Sequence, residues 1–195
     1  AQDVDQQLGK ILRINTDGSV PADNPFVERG GLAAKVWTYG HRNSQGLAID
    51  QSGTRVYMHE HGPRGGDEVN LVLPGRNYGW PAVTGGVDYS GAYVSPFTEH
   101  PDMESALITW TPSIAPSGMV MYEGSAFPAW QGSLFVGALV DRDVRRLSLR
   151  DGEIVAQESL FSELDMRIRD IRQGPDEMLY ILTDEGSFVR VVPAQ

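Results

Sequence analysis

Arg167 and Arg169, in the run Arg167-Ile168-Arg169-Asp170-Ile171, put two guanidinium groups two residues apart. On a strand, positions i and i+2 project from one face. Two forked donors side by side could then hold a polycarboxylate, since each can pair bidentately. The same residues would also serve as an exposed edge pair balanced by Glu163, Asp165 and Asp170, and spacing alone does not choose between these uses. A second cluster, His41-Arg42-Asn43-Ser44-Gln45-Gly46, sets a cation and two amides ahead of an apolar run. Dense polar loops beside a rigid sheet often carry binding residues, although Asn and Gln in such a loop also satisfy turn backbone. A third, His61-Gly62-Pro63-Arg64-Gly65-Gly66-Asp67-Glu68, is rich in residues that allow or fix unusual backbone angles. Such a turn can aim consecutive carbonyls at one point, and calcium accepts carbonyl oxygens. Its spacing does not match the helix-loop-helix calcium loop. His59 and His61 flank Glu60 at strand spacing without a third ligand beside them, and His100 precedes Pro101 in a loop.

The elements that must position these groups read as short strands. The chain has 195 residues, 41% hydrophobic, with 22 Gly and 12 Pro scattered along it. That pattern favours many short elements joined by tight turns, hence an all-β protein. Three segments resemble one another: Leu47 to Tyr57, Gly132 to Leu149 and Ile171 to Val192. In the last, a Gly-Pro-Asp-Glu turn leads to Leu179-Tyr180-Ile181-Leu182, and Asp184-Glu185-Gly186 turns into Phe188 to Val192. Tyr180 lies 45 residues beyond Phe135, a period expected of four-stranded propeller blades. The run Gly9 to Ile14 matches only the second half of that meander, so the chain is expected to begin inside a blade and to carry about three blades. A small self-sufficient β-sandwich is the alternative.

Net charge is −10, from 26 acidic and 16 basic residues, which supplies no broad footprint for nucleic acid or anionic lipid. No apolar run approaches a membrane span. The absence of cysteine excludes disulfides, c-type haem, iron–sulfur clusters and thiolate zinc. Neither a strand-then-helix G-x-G-x-x-G nor a G-x-S-x-G elbow is present, so nicotinamide binding and serine-hydrolase chemistry lack support.

Seven motifs occur in one order: Gly9 to Phe26 (GKILRINTDGSVPADNPF), Tyr39 to Asp50 (YGHRNSQGLAID), His59 to Asn70 (HEHGPRGGDEVN), Gly75 to Pro81 (GRNYGWP), Pro112 to Tyr122 (PSIAPSGMVMY), Leu134 to Leu139 (LFVGAL) and Arg167 to Ile171 (RIRDI). Together they make the chain resemble, over essentially its whole length, the soluble aldose sugar dehydrogenase or glucose/sorbosone dehydrogenase family. The resemblance implies a six-bladed β-propeller, with residues 1–195 the C-terminal part of one propeller domain and the N-terminal blades upstream. It implies a quinoprotein that oxidises the C1 hydroxyl of aldoses to lactones, with pyrroloquinoline quinone (PQQ) held on calcium and an external electron acceptor. A periplasmic or secreted location follows from the same resemblance.

Residue by residue, the resemblance puts Arg42 over the quinone as an electrostatic catalyst, with Asn43, Gln45 and Ser113 at the cofactor and Arg167 and Arg169 on its carboxylates. The Gly62 and Pro63 carbonyls would hold the calcium; Glu68 and Tyr78 match positions near a second calcium in some relatives. Two departures stand out. Val140 occupies a place where some members have a cofactor-binding Lys, with Arg142 two residues on. The family's catalytic His lies in the upstream blades, so this chain alone is expected to be inactive. Two rival functions remain: a calcium-dependent propeller lactonase, which needs no Arg pair, and a non-catalytic binding propeller.

Overall fold

Frequent Gly and Pro breaks leave room only for short elements, and the computed structural model, which describes residues 1–194, contains thirteen strands and four single-turn 3-10 helices. The strands are β1 (Lys10–Leu12), β2 (Val36–Tyr39), β3 (Ser44–Ile49), β4 (Val56–Glu60), β5 (Asp67–Leu71), β6 (Ile108–Trp110), β7 (Pro116–Met121), β8 (Leu134–Ala138), β9 (Val144–Arg150), β10 (Glu153–Leu160), β11 (Ile168–Gln173), β12 (Leu179–Thr183) and β13 (Phe188–Val191). They form four sheets of order β1-β2, β3-β4-β5-β6, β10-β9-β8-β7 and β11-β12-β13. The fold is all-β, as the composition requires. Tyr57, Phe135 and Tyr180 fall on β4, β8 and β12, the second strand in chain order of each of the three larger sheets, and that strand is the part the three similar segments share. The 45-residue period does not extend back to Tyr57, because a long strandless stretch, 72–107, lies between β5 and β6. The expected strand from Gly9 to Ile14 is trimmed to Lys10–Leu12, whose partner is β2, downstream of it in the chain.

The chain divides into two compact units, residues 1–44 with 60–112, and residues 45–59 with 113–195. In the first, the stretch after β5 is laid along β2 by backbone hydrogen bonds from Gly75 to Trp37, Tyr78 to Tyr39 and Trp80 to Gly40, at 2.7 to 2.9 Å. Gly40 makes this possible: its φ is +81°, and a Cβ there would collide with Asn77 and lie 2.8 Å from the Gly79 nitrogen. Tyr78 and Trp80 are thereby brought beside the His41-Arg42 loop.

In the second unit, the apolar faces of β8, β11 and β12 meet in a core of Tyr122, Phe135, Val144, Ile168, Ile171, Leu179 and Ile181, each no more than 0% exposed. β12 alternates buried and less buried residues, the signature of a half-buried strand, whereas all of β8 is buried. Two glycines let β11 come close: a Cβ on Gly118 would lie 2.6 Å from the Asp170 Cα, and one on Gly137 2.7 Å from Ile168. The buried Ser117 hydroxyl lies 3.0 Å from the Gly137 carbonyl and 2.7 Å from that of Ile168, and donates to this pair. This contact seats the strand that carries Arg169.

Candidate functional site

The loop after β2 is built around one carboxylate. Glu60, at the end of β4 and 4% exposed, receives the backbone N–H of Arg42 on Oε2 at 2.6 Å and that of Asn43 at 3.3 Å. Its Oε1 lies 3.0 Å from His41 Nδ1, and His41 Nε2 lies 2.8 Å from the Thr38 hydroxyl. The His41 ring stacks on Tyr78 with centroids 4.6 Å apart. Arg42 is left half-buried with its guanidinium carbon 5.3 Å from the Trp80 ring centre, and its Nη1 donates to the His61 carbonyl at 3.1 Å. The His61 N–H in turn donates to the Asn43 carbonyl at 3.0 Å.

The expected turn from His61 to Glu68 is tightly wound as far as Gly66, and its last two residues, Asp67 and Glu68, open β5 instead. Gly65 and Gly66 both adopt left-handed angles, with φ of +81° and +73°, and the Gly62 N–H donates to the buried Asp67 carboxylate at 3.0 Å. Arg42, Glu60, His61, Gly62, Glu68 and Trp80 line one cleft, with room of about 10 Å³, enough for a single water or ion. The cleft is open on one side, and Tyr78, Val83 and Trp80 line it together with the charged groups. Burial pushes Glu68 up to about 7, helped by the nearby Glu60 and Asp67 charges and opposed by the Asn70 hydrogen bond. Burial also raises Tyr78 to about 12, and its hydroxyl is committed to the Leu71 carbonyl at 2.5 Å and the Leu73 N–H at 2.8 Å. Among the described residues, no group of three His, Asp or Glu side chains is placed to hold a metal ion.

In the second unit, Arg167 and Arg169 do stand together, on the same carboxylate. Arg167 Nε lies 2.9 Å from Asp184 Oδ2, while Arg169 reaches Oδ1 through Nε at 2.7 Å and Oδ2 through Nη2 at 3.0 Å. The balancing acid is thus Asp184 on the β12–β13 turn rather than Glu163, Asp165 or Asp170. The cause is antiparallel pairing: Ile168 faces Thr183, and the Asp184 N–H donates to the Arg167 carbonyl at 3.0 Å. Arg169 and then Arg167 hold the Asp184 carboxyl below the usual carboxylate range, and Asp184 raises Arg169 in return. Arg167 sits one residue before β11, and the register shifts between Ile168 and Asp170, so a bulge rather than a regular pleat aligns the two side chains.

The remaining candidates are placed as follows. Gln45 is exposed near the start of β3, and the half-buried Ser113 hydroxyl receives the Ala115 N–H at 3.2 Å. Val140 is 56% exposed, and Arg142 pairs with Asp165 at 3.0 Å. Three residues that organise these groups escaped sequence reasoning: Glu60, Trp80 and Asp184. Glu60 was visible only as the acid between two histidines, and Trp80 only as part of the Gly75 to Pro81 motif. Asp184 gave no signal beyond its turn.

These features coincide with strong similarity to known proteins. The chain is 42% identical over 197 residues to the aldose sugar dehydrogenase YliI of Escherichia coli, covering 99% of this chain and 53% of that protein. Among solved structures, a glucose dehydrogenase superposes with a TM-score of 0.94 at 46% identity, covering 99% of this chain and 57% of that one. The PQQ-bound form of aldose sugar dehydrogenase from Streptomyces coelicolor gives 0.71 at 29% identity, covering 92% and 48%. The chain spans about half the length of these relatives. The model of the family described as Glucose / Sorbosone dehydrogenase matches residues 1–190. The chain therefore belongs to the glucose/sorbosone dehydrogenase family.

Proposed function

We propose that this chain forms part of a PQQ-dependent sugar dehydrogenase that oxidises the C1 hydroxyl of aldoses to lactones, working outside the cytoplasm and passing electrons to an external acceptor. The carrying observation is that the Arg42 guanidinium, fixed over Trp80 and tied to His61, opens on the same cleft as the Gly62 turn. A cation of set position and a candidate carbonyl site for a metal ion thus line one cleft. Half coverage of the relatives and the three larger sheets, of four, four and three strands, support residues 1–195 being about three blades of a six-bladed propeller.

The residues fit the cofactor's chemistry. PQQ, when bound, supplies a quinone that accepts a hydride from the sugar. Its carboxylates need forked cations, and Arg167 and Arg169 already hold a carboxylate together. Calcium needs hard oxygens, which the Gly62 and Pro63 carbonyls would provide beside Asp67 and Glu68; Glu68 and Tyr78 would flank a second ion. Arg42 stabilises negative charge as it develops, in a setting where Trp80 keeps water from one side of the guanidinium. Asn43, Gln45 and Ser113 would offer hydrogen bonds to the cofactor. The buried His41 is 1% exposed and committed to Glu60 and Thr38, so we do not assign it the role of general base. That role falls to a residue of the blades outside this chain.

PQQ titration followed by absorbance, with calcium and with chelator, tests this reading. Binding that requires calcium and weakens at least tenfold in Arg42→Ala is expected. Equal binding by wild type and Arg42→Ala would overturn it, leaving a non-catalytic propeller as the better account.

A further inference from the structure

Glu60 is a buried acid to which the cofactor chemistry above gives no part of its own. Its carboxylate is divided between an imidazole and two backbone N–H groups. Each of those bonds acts on the placement of the loop. A carboxylate can only accept, so His41 carries a proton on Nδ1, and with the ring neutral the Thr38 hydroxyl donates to Nε2. Thr38 is itself fixed on β2 opposite Ile11, and His41 is held flat against Tyr78. Glu60 therefore ties the backbone of Arg42 and Asn43 to a chain of buried, packed groups. The bonds between Arg42 Nη1 and His61 and between His61 and Asn43 then join residues 42–43 to 60–61 a second time, one position before Gly62.

We propose that Glu60 is a positioning residue: it sets where the Arg42 guanidinium and the Asn43 amide stand, through hydrogen-bond geometry to their backbone and not through its charge. This rests on the reading of Arg42 as a cofactor contact. Two substitutions separate geometry from charge. In Glu60→Gln the amide oxygen can accept both backbone N–H groups while the amide nitrogen donates to His41 Nδ1, and His41 changes tautomer to donate to Thr38. Every bond is remade and only the charge is lost. In Glu60→Asp the charge stays, but a side chain one methylene shorter cannot reach His41 and the two N–H groups together.

The test uses the protein in its full-length form, with PQQ dissociation constants measured by absorbance in excess calcium and folding followed by circular dichroism. Glu60→Gln should bind PQQ within about threefold of wild type, and Glu60→Asp about tenfold or more weakly. Adding Glu60→Asp to Arg42→Ala should then weaken binding much less than it does in wild type, because the group it positions is gone. Strong loss or misfolding in Glu60→Gln, or wild-type binding in Glu60→Asp, overturns the inference. If Arg42→Ala itself binds PQQ normally, the reading of Arg42 fails first, and the positioning role falls with it.

Discussion

Replacing Arg169 by alanine separates a cofactor clamp from an internal salt bridge, and the structure supplies both magnitudes. Asp184 accepts three N–H groups from the two arginines, so most of their forked donors remain for a second carboxylate. The trio carries a net charge of +1, and Arg169→Ala reduces it to zero. Loss of a charge-assisted pair is worth about 1.5–3 kcal/mol. PQQ affinity should fall about 10- to 150-fold. Arg169→Lys should recover only part of that, because a point ammonium lacks the fork. The effect on stability should be small. Arg169 is 54% exposed and Asp184 keeps Arg167, so a screened surface pair of roughly 0–1 kcal/mol is all that is lost. Asp184→Asn should act in the opposite direction, raising the net charge to +2 and leaving PQQ binding equal or tighter. PQQ titration and thermal unfolding of the three variants check this. An unchanged dissociation constant in Arg169→Ala with a small drop in melting temperature would mean that the pair serves the β11–β12 hairpin alone, and weakened binding in Asp184→Asn would refute the charge reasoning.

The remaining predictions concern pH, core and completeness. Glu68 sits at about 7 in the folded state against an ordinary 4.5, so the folded chain binds more protons between those values than the unfolded one. Calcium-free stability should therefore decline as pH rises through about 4.5 to 7 and level off above, by up to about 3 kcal/mol from this group. Urea unfolding at pH 5 and 8 should show a smaller decline in Glu68→Gln; an equal decline would remove Glu68 as its source. Phe135→Ala, at the centre of the second unit's core, should cost about 3–5 kcal/mol in chemical denaturation, and a loss below about 1 kcal/mol would show that the core collapses around the gap. The 195 residues alone should not oxidise aldoses with PQQ and calcium, and should regain activity when the other blades are supplied as a separate chain. Robust turnover by this chain alone would show that it contains its own base.

Much of the architecture was written locally. The β meanders were legible because alternating side chains and Gly-rich turns are properties of a few neighbouring residues, and β12 and β13 fall within a residue of the expected runs. The three clusters of chemistry-bearing residues were legible for the same reason, and the order of seven motifs was enough to imply the family. The strands β2, β7 and β10 were not read as such, since their boundaries depend on partners supplied from elsewhere in the chain.

What only the tertiary structure decided is which groups face one another. Arg167 and Arg169 announce two cations at strand spacing, but their acid comes from a turn 15 residues beyond Arg169, delivered by the register of β11 on β12 and a bulge at Arg169. Arg42 announces a cation in a polar loop, yet its position depends on Glu60, 18 residues on, and on Trp80, brought in by a strandless stretch that only Gly40 can accept so closely. Residue type and short spacing determine what chemistry a segment is able to do. Hydrogen bonds between segments far apart in the chain depend on register and close packing, which no local pattern encodes, and it is those bonds that orient the charges.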